Sequence, residues 1–109
     1  MTKPLSTLKY DRKGSGETIV LIHGIGHRRQ GWGPVFDQLA ESYDVIAVDL
    51  AGFGESPAYD KGTAYTMDNA CADLVANFAE WGVENPHVVG NSLGGAVALE
   101  LGARGHAAS

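Results

Sequence analysis

Short continuous apolar runs alternate along the chain with segments in which apolar residues recur at helical spacing. This pattern predicts strands that are each followed by a helix. Short apolar runs rich in β-branched residues are typical of buried strands, and they cover residues 18–23, 44–50 and 87–91. Apolar residues at helical spacing follow each run. The spacing predicts helices that begin at Pro34, after a Thr66 N-cap, and at Ser92.

The order of these elements indicates the fold class. Strand and helix alternate three times, which predicts right-handed crossovers and a mostly parallel sheet. We expect an α/β fold in three layers, with helices on both faces of the sheet. The apolar face of the first helix extends from Val35 to Tyr43, and that of the second from Met67 to Ala79. Residues 7–14 form either an antiparallel edge hairpin or a tail.

Composition narrows the class of protein. The chain has 109 residues, enough for one domain, of which 44% are hydrophobic and 19% are charged. A net charge of −5 argues against a nucleic-acid partner. Cys71 is the single cysteine and cannot form an internal disulfide. Because no apolar run is long enough to span a membrane, we expect a soluble, cytoplasmic protein with no membrane partner.

One serine stands at the junction between the third strand and the third helix. Residues 90–94, Gly-Asn-Ser-Leu-Gly, fit the G-x-S-x-G pattern, which lifts the serine hydroxyl above the sheet on a strained turn. Gly90 and Gly94 prevent side chains from colliding at this turn. The helix N-terminus favours negative charge, so the backbone N–H of Leu93 is a candidate donor to an oxyanion. The N–H of Ile25, in the turn His-Gly-Ile-Gly, is the candidate second donor.

Together these segments resemble the α/β-hydrolase family. Residues 23–26 look like the oxyanion loop of that family, residues 49–56 like the turn after its next strand, and residues 90–95 like its nucleophile elbow. The resemblance implies that Ser92 attacks a carbonyl carbon of a small-molecule substrate. The bond that is hydrolysed at that carbon is then an ester, a thioester or a carbon–carbon bond. It implies no cofactor and no metal. Epoxide hydrolases and haloalkane dehalogenases of the family carry an aspartate at the elbow, so Ser92 argues against both.

The base and acid of the family's catalytic triad are not recognisable in this chain. In the family they follow the serine, but here only His106 and Glu100 do so. A rise of about 1.5 Å per residue places His106 roughly 20 Å from Ser92. We therefore expect residues 1–109 to be the N-terminal part of a single hydrolase domain, without its later strands, lid, acid and histidine, and inactive alone.

This interpretation has a consequence for partners. The third strand would lack a neighbour, and an open apolar edge favours self-association or complementation by the missing half of the domain. The alternative function is a non-catalytic, self-associating scaffold or binding module derived from a hydrolase.

Several residues allow a simpler interpretation. Ser92 could be an ordinary helix N-cap, and His23 could be a base or metal ligand, although we expect it to shape the loop together with Gly24 and Gly26. Trp32, Phe53 and Asn91 either line a pocket or pack.

The charged residues near the turns also have two interpretations. The basic cluster from His27 to Arg29 could bind an anionic substrate, but we expect it to be a solvated loop. We expect Asp49 to hold the turn that follows it by hydrogen bonds. The stretch from Gly24 to Arg29 begins like a dinucleotide fingerprint but lacks its third glycine.

Overall fold

The computed structural model describes residues 3–109 and contains four strands and three α-helices. The strands are β1 (Tyr10–Lys13), β2 (Thr18–Ile22), β3 (Asp44–Val48) and β4 (His87–Gly90). The helices are α1 (Pro34–Leu39), α2 (Met67–Glu80) and α3 (Leu93–Ala103), and a 3₁₀ turn at Arg29–Trp32 precedes α1. None of the helices in this part of the chain is long and apolar enough to cross a membrane.

The strands form a single sheet in the order β1-β3-β2-β4. Both β3 and β4 run parallel to β2, with Val20 opposite Ile46 on one side and Val88 on the other. The predicted mostly parallel sheet is confirmed. The segment that was expected to be a hairpin or a tail is instead an edge strand, because β1 pairs antiparallel with β3 and not with the strand that follows it.

The apolar core lies in two layers, one on each face of the sheet. Alternate residues of β2 point to opposite faces. Val20 and Ile22 join the larger cluster with α2 and α3, whereas Ile19 and Leu21 join a smaller one under α1. Helices therefore cover both faces, as the sequence predicts.

The first helix is shorter than its apolar pattern indicates. It ends at Leu39, whose carbonyl then accepts the N–H groups of Ser42 and Tyr43 as the chain turns into β3. Val35 and Tyr43 are exposed, so their predicted place on the buried face is wrong. In α2, Thr66 caps the helix by accepting the N–H of Asn69 at 3.1 Å, as predicted, while Ala79 is exposed.

The outer edge of β4 is not as open as expected. The N–H of Ala108 donates to Pro86 O and the N–H of Val88 donates to Ser109 O, both at 2.9 Å. The last residues of the chain therefore lie beside the start of β4, and the prediction of an uncovered edge is wrong there. Val89, further along the strand, remains 43% exposed.

Candidate active site

The turn between β4 and α3 holds Ser92 in a strained backbone conformation. Its φ and ψ are 58° and −114°, in a region that residues other than glycine rarely adopt. Two backbone hydrogen bonds define the corner: the N–H of Asn91 donates to Ile22 O at 3.1 Å, and the N–H of Gly94 donates to Asn91 O at 2.9 Å. The Ser92 side chain makes no capping hydrogen bond to α3, so a simple N-cap does not describe it. It is exposed.

The glycines on either side of the serine are required by close backbone contact. A Cβ atom on Gly90 would lie 2.0 Å from the carbonyl oxygen of Gly94. A Cβ atom on Gly94 would lie 2.1 Å from the carbonyl oxygen of Ile22. Neither distance is possible for a real side chain, so α3 can start directly against β2 and β4 only with glycine at both positions.

The turn that follows β2 lies directly against the serine. A Cβ atom on Gly24 would be 3.1 Å from the Cβ of Ser92. The N–H of His27 donates to Gly24 O at 3.1 Å, and Gly26 has a φ of +79° that closes the turn. Within residues 3–109, neither the N–H of Ile25 nor that of Leu93 donates to another group of the chain. Both candidate oxyanion donors thus stand on segments that meet at Ser92.

His23 is buried, and both nitrogens of its ring are engaged. The N–H of Leu50 donates to Nε2 at 2.9 Å, which requires the proton to be on Nδ1. Nδ1 then donates to the carbonyl oxygen of Gly24 at 2.8 Å. The edge of the Phe53 ring packs against the imidazole at 5.3 Å between centroids. A ring held in this way joins the two loops and has no free nitrogen for a proton or a metal.

Asp49, at the end of β3, forms an ion pair with Arg29, in the segment after β2. Asp49 is fully buried, and its carboxylate accepts hydrogen bonds from the Arg29 guanidinium, the Arg29 backbone N–H and the backbone N–H of Glu55. Burial alone would raise the pKa of Asp49, but the two N–H groups and the guanidinium outweigh it and hold the pKa below its usual value. Asp49 therefore holds the turn after β3. Arg29 is only 10% exposed, so the prediction of a solvated loop is wrong at this residue.

The candidate pocket residues line three recesses. Phe53 lines an apolar cavity of about 510 Å³ together with Leu93 and Ile25, and it also borders a more polar recess of about 560 Å³. Trp32 and Asn91 line a recess of about 240 Å³. Trp32 packs in addition against the smaller core cluster under α1. The apolar cavity therefore borders both candidate oxyanion donors.

The candidate acid and base that follow Ser92, Glu100 and His106, lie away from it along α3. Glu100 is in the last turns of the helix and pairs with Arg104. His106 lies beyond the end of the helix, where its N–H donates to Leu101 O at 2.8 Å. Since α3 has 11 residues and rises about 1.5 Å per residue, its length separates Ser92 from His106.

Asp73 and Asn77 are buried polar residues that the apolar pattern of α2 does not predict. Both are 2% exposed on the buried side of α2, where the apolar spacing drew attention to their neighbours. Asn77 and Asp73 bind the backbone of Ser6 and Leu8, so they attach the N-terminal segment to the helix. The only available signal was the presence of an acid and an amide at i and i+4 on an otherwise apolar helix.

Comparison with known proteins places this site in context. Residues 17–105 match the model of the alpha/beta hydrolase fold family. The chain is 44% identical over 96 residues to the dihydrolipoyllysine-residue acetyltransferase component of the acetoin cleaving system of Cupriavidus necator, covering 86% of this chain and 25% of that protein. It is 41% identical over 96 residues to a pimeloyl-[acyl-carrier protein] methyl ester esterase of Pseudoalteromonas atlantica, covering 88% and 35%.

Solved structures similar to this chain include both epoxide hydrolases and esterases. A thermophilic esterase from Thermogutta terrifontis superposes with a TM-score of 0.80 at 32% identity, covering 89% of this chain and 35% of that one. The chain thus spans about a quarter to a third of the relatives that it matches.

Proposed function

Because this chain belongs to the alpha/beta hydrolase family, we propose that Ser92 is the nucleophile of a serine-dependent hydrolase. The Ser92 hydroxyl attacks a carbonyl carbon of a small molecule and breaks the ester, thioester or carbon–carbon bond at that carbon. The leaving alcohol, thiol or carbon group takes up a proton, and water then hydrolyses the ester formed with Ser92. The observation that carries the proposal is the strained backbone of Ser92, an exposed residue whose side chain makes no capping hydrogen bond to α3. Strain of this kind is maintained where a function requires it.

The backbone around the serine supports the same chemistry. In the proposed reaction the N–H groups of Leu93 and Ile25 donate to the oxyanion that forms when Ser92 attacks. The first lies at the N-terminus of α3, where the helix dipole favours negative charge. The close approach of Gly24 to Ser92 brings the second within the same corner. One such donor contributes roughly 100- to 1000-fold to the rate.

The general base and its orienting acid are proposed to come from outside these 109 residues. Both ring nitrogens of His23 are already hydrogen-bonded, and His106 lies past the far end of α3. A serine without a base is a weak nucleophile at neutral pH. We therefore expect the 109-residue chain to have little or no hydrolase activity alone.

A non-catalytic, self-associating module is the second candidate, and the surface of α3 favours it. Leu99 is 78% exposed on this helix, and Val89 on the adjacent strand is 43% exposed. A helix that is apolar on all sides is normally buried. This surface would pack either against the rest of a hydrolase domain or against a second copy of the chain.

The experiment that separates these candidates joins residues 1–109 to the remaining sequence of the Pseudoalteromonas atlantica esterase, replacing the matched segment of that protein. We expect the chimera to hydrolyse a short p-nitrophenyl ester, and Ser92→Ala to abolish that activity. Ser15→Ala, on an exposed loop, is the matched control. A folded chimera, verified by circular dichroism and cooperative unfolding, whose activity is absent or survives Ser92→Ala would overturn the proposal.

A further inference from the structure

The more polar recess, of about 560 Å³, presents hydrogen-bond donors and no acidic side chain. Arg28, His27 and Gln30 supply its polar side chains, and both basic residues are exposed. The rest of its wall consists of Phe53 and glycines. A wall that contains a guanidinium group and no carboxylate favours a ligand with an anionic oxygen group.

Arg28 differs from the other arginines of the chain because its side chain forms no ion pair within residues 3–109. The other three arginines bind acids: Arg12 binds Asp44, Arg29 binds Asp49 and Glu55, and Arg104 binds Asp68. The net charge is −5, so acids outnumber the basic residues that could pair with them. Since a guanidinium group stays charged at any ordinary pH, Arg28 is available to a ligand.

Two carboxylates lie beside the recess, and Arg29 binds both of them. Asp49 is fully buried under a glycine of the recess wall, and Glu55 is the residue after that glycine. The Arg29 guanidinium donates to each of them and also to Asp11 on β1. Asp11 and Glu55 are largely exposed, so solvent screens their charge. These acids therefore leave the Arg28 guanidinium unoccupied.

Backbone N–H groups add to the donors of this recess. Those of Gly26 and Gly54 donate to no other group within residues 3–109. A Cβ atom on Gly26 would meet nothing within 4 Å, so the backbone at this position is open to a ligand. Free N–H groups of turns line anion-binding concavities in proteins.

The polar recess adjoins the apolar cavity. Gly52 and Phe53 line both, and the apolar cavity continues to Leu93 and Ile25. The volume of the apolar cavity, about 510 Å³, falls within the range typical of small-molecule sites. A molecule that is apolar at one end and anionic at the other fits this arrangement.

We infer that Arg28 and His27 form an anion subsite, which binds the carboxylate or phosphate group of a ligand whose alkyl or aryl portion lies in the apolar cavity. The Arg28 guanidinium can donate two parallel hydrogen bonds to either group. A ring N–H of His27 and the backbone N–H of Gly26 are the donors to the remaining oxygen atoms.

The identity of this ligand as the substrate rests on the proposed function. If Ser92 is the nucleophile, the chain prefers substrates that carry a carboxylate or phosphate group beyond their apolar portion. Binding of the anionic group requires no catalysis. Ser92→Ala should therefore bind the probes named below like the unchanged chain, and the two proposals can fail separately.

The test is a titration of the isotope-labelled chain, observed by amide NMR, with probes that share a phenylbutyl chain and differ only in the end group: phenylbutanol, phenylbutylamine, phenylpentanoate and phenylbutyl phosphate. At least one of the two anions is expected to bind about tenfold more tightly than the alcohol. Its saturable shifts should include Gly26, Gly54 and Val97. The stronger of the two anions identifies the group that the subsite takes.

The net charge of −5 opposes this result, because it repels anions and attracts the amine. A preference for an anion must therefore come from a local site. Equal affinity of the alcohol and both anions, tightest binding of the amine, or no saturable shifts with either anion would overturn the inference.

Arg28→Gln tests the role of the guanidinium. The preference for the anion over the alcohol should fall to less than about threefold, because the charged donor is lost. Arg104→Gln makes the same substitution at the end of α3, at a residue that lines neither the recess nor the apolar cavity, and should leave the preference intact. A preference unchanged in Arg28→Gln contradicts the inference.

A second pair of variants tests the apolar part of the site. Ala70→Leu extends a side chain into the apolar cavity and should weaken binding of the anion and the alcohol alike. Ala72→Leu, on the exposed side of the same helix, should not. Binding that is unchanged in Ala70→Leu would place the apolar portion elsewhere and overturn the inference.

Discussion

At the scale of single residues, the site depends on backbone geometry more than on side-chain chemistry. Ser92 has a positive φ, and its glycine neighbours leave no space for a Cβ atom. The G-x-S-x-G pattern predicts this feature because the pattern itself encodes the steric requirement. The hydrogen bonds of His23 to Leu50 and of Asp73 to Ser6 could not be predicted in the same way, since each joins residues that are distant in the sequence.

The contact of Gly94 with β2 makes a direct prediction about stability. Gly94→Ala places a methyl group 2.1 Å from Ile22 O and should lower the free energy of unfolding by about 1–3 kcal/mol or more, because the backbone must shift. Gly102→Ala is the matched control on the same helix, since its Cβ would meet nothing. It should stabilise the chain by up to about 1 kcal/mol. Urea denaturation measures both, and equal stability of the two variants would contradict the steric account.

The buried pair of Asp49 and Arg29 makes a second prediction. Arg29→Ala leaves a fully buried carboxylate with only backbone partners and should destabilise the fold by about 3–5 kcal/mol. Arg104→Ala breaks an exposed pair with Asp68 and should change stability little. Thermal unfolding of both variants at neutral pH is the measurement. A small effect of Arg29→Ala would show that the pair does not hold the turn after β3.

At the scale of elements, the three predicted strands and the start of each following α-helix agree with the structure to within a residue or two. The apolar runs were reliable where both faces of the strand are buried, as in β2 and β3. The errors fall at the ends of the chain and of α1. The pairing of β1 with β3 brings together residues far apart in sequence, and hydrophobic periodicity carries no information about such a choice.

The pairing of β1 with β3 includes a charged contact that predicts a pH dependence. The Arg12 guanidinium donates two hydrogen bonds to the Asp44 carboxylate, one to each oxygen. These hydrogen bonds lower the pKa of Asp44. Because the folded-state pKa is lowered, the pair stabilises the fold above the usual Asp pKa of about 3.9 and loses that effect as the pH falls below it. Arg12→Gln should therefore be less stable than the unchanged chain near neutral pH.

The difference should shrink as the pH is lowered through and below about 3.9. Lys13→Gln, which removes an exposed pair with Asp37, should show a much smaller difference. Urea unfolding at a series of pH values gives the comparison. A stability difference for Arg12→Gln that stays constant with pH would show that the pair does not act through the charge of Asp44.

At the scale of the whole molecule, the chain contains a strained turn at Ser92, an apolar cavity that borders this turn and an incompletely covered apolar surface. The family and fold class could be predicted from the sequence because three motifs each follow a strand in the expected order. The covering of β4 by Ala108 and Ser109 could not, because these residues carry no strand pattern of their own. The remaining exposed part of β4 and α3 leads to a prediction about association.

We expect the 109-residue chain to self-associate in sedimentation velocity as its concentration rises. Val89→Lys should reduce the association, because it places charge at the exposed part of β4. Val35→Lys is the matched control, since Val35 is 42% exposed and Val89 is 43% exposed, but Val35 lies on α1 across the sheet. A monomer at all concentrations, or an equal effect of the two variants, would contradict association through this surface.

We propose that Ser92 is held in the geometry of a nucleophile but lacks a base within these 109 residues. The most direct measurement is the reaction of the folded chain with a fluorophosphonate probe, followed by intact mass and peptide mapping, with Ser92→Ala as the control. We predict no labelling of Ser92 above the control. Rapid stoichiometric labelling at Ser92 would contradict it, because a group within the chain, such as His27, would then be activating the serine.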